Sequence, residues 1–190
     1  TKKSPAEPAP SNHTNPPADL ESDIVADLGP GSYTAILRGK ANDSGVALIE
    51  GYDLQSLSSS QLANISTRGL VQTGDNVMIG GFIVGPSFGE SATVVVRALG
   101  PSLADQGISN PLLDPHLELR DGDGDLIGEN DNWMDGPDTQ TIAAVGLTPP
   151  APAESALLAT VTPGAYTAIV TGADGGIGVA LLEIYHVQLP

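Results

Sequence analysis

Residues 21–54 read ESDIVADLGPGSYTAILRGKANDSGVALIEGYDL, and residues 154–187 read ESALLATVTPGAYTAIVTGADGGIGVALLEIYHV. The two stretches align without a gap, every position meeting its counterpart 133 residues on: Gly31 meets Gly164, Gly45 meets Gly178 and Tyr52 meets Tyr185. Sixteen of the thirty-four pairs are identical, which at a fixed register marks an internal repeat. Within the first copy Tyr33, Ala35 and Leu37 fall on one face of an extended segment, and Thr34, Ile36 and Arg38 on the other. Gly29-Pro30-Gly31 and the Gly-rich stretch 40–45 interrupt the pattern as turns. Each copy therefore reads as three strands, at 24–28, 33–38 and 46–52 in the first and 156–161, 165–171 and 178–187 in the second.

Everything between the copies occurs once. Residues 55–64 read as a loop or a helical turn, and strand candidates follow at 69–73, 76–84 and 92–99. Val94-Val95-Val96 is strongly β-favouring. Gly80-Gly81 within a strand signals a bulge or a close backbone approach. Residues 116–120 and 125–128 pair as a hairpin across 121–124, and 129–153 is loop-rich. No segment carries a sustained helical stripe. The expected fold is all-β, an antiparallel β-sandwich or jelly roll, with an extra N-terminal three-stranded segment that duplicates the C-terminal strands. The domains read as a Pro-rich extended tail at 1–19, an orphan β segment at 20–54, and a sandwich unit at 55–190.

Composition narrows the function. Seven basic residues against 23 acidic ones give a net charge of −16, which disfavours nucleic acid and anionic membranes as partners. Cysteine is absent, so neither disulfides nor thiolate chemistry are available. The longest apolar run, 77–85, is too short to span a bilayer as a helix, and no insertion into a membrane is expected. The chain shows no signal peptide and reads as secreted, extracellular or on the cell surface.

Four phrases carry a resemblance: LANISTRGLVQTGDNVMIGGFIVG, VVVRALGPSL, LLDPHLELRDGDGDLIGENDNW, and the ES…TPGAYTAIVTG…GVALLEIY of the second copy. As a set, over residues 62–187, they resemble a repeat module of large secreted and cell-surface proteins of environmental bacteria. Residues 116–187 are similar to the pre-peptidase C-terminal type of β-sandwich. The resemblance implies an extracellular accessory or structural module, often with calcium, and implies no catalysis.

The acidic stretch Asp121, Asp123, Asp125, Asn130, Asp131 and Asn132 supplies the hard oxygens that Ca²⁺ takes. Its spacing only half meets the helix–loop–helix calcium pattern, with Leu126 and Asn132 where Gly and Glu belong, so a plain Asp/Gly hairpin turn is the other reading. Trp133 could stack on a sugar or simply cover that loop, which leaves polysaccharide as a candidate partner. Gly85-Pro-Ser87-Phe-Gly89 has the spelling of a hydrolase nucleophile elbow, but a strand rather than a helix follows it, so a hairpin loop is expected and no enzyme. Glu50 and Glu183 are one position in two copies; Arg97 pairs with one of them across the sheet, or all three face solvent.

The second copy has a head, the single-occurrence stretch that precedes it. The first copy has none. Three apolar strands with open edges are sticky in water and must pair with something. Either the one head lies between two tails within a molecule, or Ile24, Val25, Leu28, Tyr33, Ile36, Val46, Leu48 and Tyr52 of the first copy dock on another molecule. Head-to-tail docking that does not close propagates as a filament. The expected function is a non-enzymatic extracellular structural protein that self-assembles through strand complementation; the alternative is a carbohydrate- or ligand-binding module of an adhesin or secreted enzyme.

Overall fold

The computed structural model describes residues 21–53, 63–85 and 91–189. The Pro-rich stretch 1–19 and the Ser87 motif lie outside the described residues. The chain divides into two units, Thr1–Gln61 and Leu62–Pro190.

The second unit is an antiparallel β-sandwich of eight strands. They are β1 (Asn64–Val71), β2 (Met78–Val84), β3 (Ala92–Leu99), β4 (Pro115–Arg120), β5 (Leu126–Asn130), β6 (Ser155–Val161), β7 (Gly164–Gly172) and β8 (Gly178–Val187). One sheet has the order β1-β8-β3-β6 and the other β2-β7-β4-β5. The three tail strands β6, β7 and β8 do not pair with one another. β6 and β8 flank β3 in the first sheet, and β7 lies between β2 and β4 in the second. The tail thus inserts into both layers, and every one of its ladders is made with the head.

The core sits between the sheets and is aliphatic, as the scarcity of aromatic residues requires. Alternate residues of each strand face it: Val94, Val96 and Ala98 of β3, Leu117 and Leu119 of β4, Ala168 and Val170 of β7, and Ala180, Leu182 and Ile184 of β8. Phe82 and Tyr166 stack across β2 and β7 with ring centroids 5.3 Å apart. Gly80 marks the close approach that a strand glycine signals, and β2 runs beside β7 there without a bulge. A Cβ on Gly80 would lie 2.5 Å from Leu182 Cδ2 in the opposite sheet. Residues 101–106 form a 3-10 turn, and the loop-rich stretch before β6 carries one short helix, α1 (Thr139–Ala144), anchored by buried Ile142.

The first unit departs from expectation. Its described residues 21–53 hold no strand ladder; the sole regular element among them is a 3-10 turn, Lys40–Asn42. The sandwich supplies the physical reason. The tail strands of the sandwich are paired by head strands and not by one another, so residues 21–53 by themselves form no ladder.

Candidate assembly site

Residues 21–53 nevertheless adopt the local geometry of the paired tail. Tyr33 Oη donates to the Gly29 carbonyl at 2.7 Å, and its counterpart Tyr166 donates to the Thr162 carbonyl at 2.7 Å. Ala41 takes a left-handed φ of 55°, and its counterpart Asp174 takes 52°. The amide of Asp43 bonds the Lys40 carbonyl as that of Gly176 bonds Ala173. Gly39 and Gly172 precede these turns, where a Cβ would lie 1.9 Å from the Asp43 carbonyl oxygen and 2.1 Å from that of Gly176. Tyr52 Oη donates to Glu50 Oε1 at 2.9 Å, matching Tyr185 and Glu183 at 2.8 Å. These are all contacts within five residues, so the sequence writes them without help from the sheet.

The paired copy tells which side chains of the first would face a core. Val161, Tyr166, Ala168, Val170, Ala180 and Leu182 are buried, and their counterparts are Leu28, Tyr33, Ala35, Leu37, Ala47 and Ile49. Val170 is 0% exposed against 49% for Leu37, and Leu182 is 2% against 56% for Ile49. Of the residues expected to carry assembly, Leu28 and Tyr33 belong to this inward set. Ile36, Val46 and Leu48 match the half-buried outward positions Ile169, Val179 and Leu181, Ile24 and Val25 match Leu157 and Leu158, and Tyr52 matches Tyr185. All eight are exposed in the first unit, Ile24 at 87% and Val46 at 89%. Leu37 and Ile49 were missed, although strand alternation from Tyr33 reaches Leu37.

Arg97 marks where the head grips the tail. Its Nε donates to Glu183 Oε2 at 2.6 Å, its Nη1 to the Leu147 carbonyl at 3.2 Å, and its Nη2 to Tyr185 Oη at 3.2 Å. The guanidinium carbon also lies 5.1 Å from the Tyr185 ring centroid. The ion pair is largely buried, with side-chain exposures of 15% and 11%. Burial, and then the hydrogen bond and charge of Glu183, push the Tyr185 phenol above its ordinary pKa, while Arg97 opposes them. In the orphan copy the Glu50 carboxylate, through its hydrogen bond first, holds the Tyr52 phenol above its ordinary value.

The acidic residues divide between the two ends of β5, about 16 Å apart for a five-residue strand. At one end Asp121 Oδ1 accepts the amides of Asp123 at 3.0 Å and Asp125 at 2.9 Å, an Asx turn, with Gly124 at φ 87°. At the other end Asn130 ties the sheets together, its Oδ1 accepting the Ala156 amide at 2.9 Å and its Nδ2 donating to the Asn132 carbonyl at 3.0 Å. Asp121, Asp123, Asp125, Asn130, Asp131 and Asn132 therefore cannot share one Ca²⁺ ion. Among the described residues no three His, Cys, Asp or Glu side chains gather as a metal group. Asp131 Oδ1 and Asp114 Oδ1 are buried without a hydrogen-bond partner, and burial, followed by the charges of Asp131 and Asp174, raises the Asp114 pKa. Trp133 Nε1 donates to the Ala151 carbonyl at 3.2 Å, which fixes the indole on its own loop.

A buried carboxylate escaped the sequence reading. Glu154, 0% exposed, accepts bonds from the amides of Gly100, Ser102 and Ala151 and from Ser102 Oγ. Ser155 beside it donates to the Pro115 and Asp131 carbonyls. The signal was present: the pair Glu-Ser opens both copies, as Glu21-Ser22 and Glu154-Ser155. No helix among the described residues is long and apolar enough to cross a membrane.

No family model matches the chain, and no curated protein matches it. Among solved structures it is similar to the pre-peptidase C-terminal domain of a collagenase from Bacillus anthracis, at 15% identity and a TM-score of 0.40, over 64% of this chain and 88% of that one.

Proposed function

We propose that this is a non-catalytic structural protein of the cell exterior, built into filaments or surface arrays by strand complementation. Residues 21–53 supply the last three strands of a sandwich that a neighbouring chain begins. The observation that carries this reading is the pairing scheme: tail strands bond only to head strands, and residues 21–53 keep the tail's turns and side-chain bonds without forming a ladder of their own. Extended backbone with preset turns loses less entropy on docking than a free coil. The acidic surface, with a net charge of −16, favours solubility until the apolar faces are covered.

The neighbour is another copy of this chain whose head stands open. The test adds a polypeptide of residues 55–153 to the full chain and follows amide hydrogen exchange. Protection is expected to appear across 33–38 and 46–52. A full chain whose residues 21–53 stay unprotected at saturating probe, with no higher species by light scattering or electron microscopy, refutes the reading.

A further inference from the structure

Resting on that reading, we infer that Glu50 and Tyr52 form a preset socket for an arginine on the neighbour's central strand, and that this arginine fixes partner and register. In the sandwich, β3 and β8 place Arg97 directly opposite Glu183. Glu183 and Tyr185 lie two residues apart on one face of β8, and they hold the guanidinium between a carboxylate and a phenol. Glu50 and Tyr52 are the same two residue types at the same spacing in the other copy. The Tyr52 hydroxyl already bonds Glu50 Oε1, as Tyr185 bonds Glu183 Oε1. The second carboxylate oxygen, the one that takes Arg97 Nε in the paired copy, has its equivalent in Glu50 Oε2. The half-site is thus built and oriented before a partner arrives.

The occupant follows from this chemistry. It is a β-branched strand with an arginine at the position of Arg97, flanked by open edges on both sides, as β3 is when β6 and β8 are removed. Antiparallel pairing that sets its arginine opposite Glu50 carries Ile49 to the core position of Leu182. A slip of one residue turns Ile49 to the outside and puts Glu50 against the core. An unpaired carboxylate there is strongly unfavourable, so the ion pair selects register as well as partner. Lysine would supply charge and donors at one nitrogen, without the planar fork that spans carboxylate and phenol.

The experiment follows self-association of the full chain refolded from denaturant, by light scattering and by amide exchange across 46–52. The variants are Glu50→Gln and Tyr52→Phe, singly and together. Each single change is expected to weaken association at least ten-fold while the sandwich melts as before, and the double change to cost little more than either one. Binding that both changes leave untouched overturns the socket while leaving strand complementation standing. Absence of protection in 21–53 overturns both. A chain of residues 55–153 followed directly by 21–54, in place of 154–187, closes the remaining route. It is expected to melt cooperatively and to lose that transition in part on Glu50→Gln; failure to fold counts against the proposal.

Discussion

Arg97 ties three groups to one side chain, its nitrogens reaching a carboxylate, a carbonyl and a phenol. Arg97→Met leaves Glu183 buried without a counter-ion, and a loss of about 3 kcal/mol is expected. Thermal unfolding of the variant should move down by roughly 10 °C, given the enthalpy of a domain this size. Asp114 works in the other direction. Its carboxyl is pushed up by burial and by Asp131 and Asp174, so the folded state holds its proton more tightly than the unfolded chain does. That penalty is absent below the ordinary carboxyl pKa and grows as pH rises through the raised one. Asp114→Asn should therefore stabilise the protein modestly at pH 7, solvent screening keeping the gain small, with the gain shrinking toward pH 4. Melting curves of the two proteins in chelator at both pH values decide it; a gain that grows on acidification would contradict the sign. The sequence made Arg97 legible as a charge in an apolar run, with two candidate glutamates. It hid Asp114 and Glu154, because a buried acid and a surface acid are spelled alike until the fold brings amides to one of them.

Several strands could be read nearly to the residue, though β1 begins at Asn64 where the sequence pattern placed a strand only from 69 to 73. Val94-Val95-Val96 with its flanks predicted 92–99 and forms Ala92–Leu99, and the second repeat predicted β6, β7 and β8 to within a residue at each end. Alternation tells which way a side chain faces, and says nothing about which strand stands beside it. For that reason residues 21–53, read as three strands, carry the tail's pattern and no ladder among the described residues. The turn between β4 and β5 shows the same boundary. Asp and Gly announced it, and only the coordinates show Asp121 Oδ1 saturated by the amides of Asp123 and Asp125. Asp121→Ala removes both bonds and should cost about 1 kcal/mol. The loss should be equal in calcium and in chelator, since this turn serves itself; a melting temperature that calcium raises in the parent but not in the variant would say otherwise.

At the scale of the whole chain, the two units should differ sharply in hydrogen exchange. Amides of β3 and β8 sit in the middle of a four-stranded sheet and are expected to be the slowest, opening only with global unfolding. Those of 21–53, outside any ladder, should exchange within the dead time of a manual experiment. Slow exchange across 46–52 in the isolated chain would mean that these strands have found partners without a second head. The position of β8 carries one more consequence. It is the last strand of the sandwich in sequence order, yet it lies between β1 and β3 and joins residues as far apart as Asn64 and Tyr185. Contacts this distant make folding slow, on the order of milliseconds to seconds. A ribosome that has released everything up to β7 has made a polypeptide whose first sheet is still split down the middle. Until the ten residues of β8 emerge, the nascent chain travels with both flanks of its cleft uncovered, and stalled translation would leave it there.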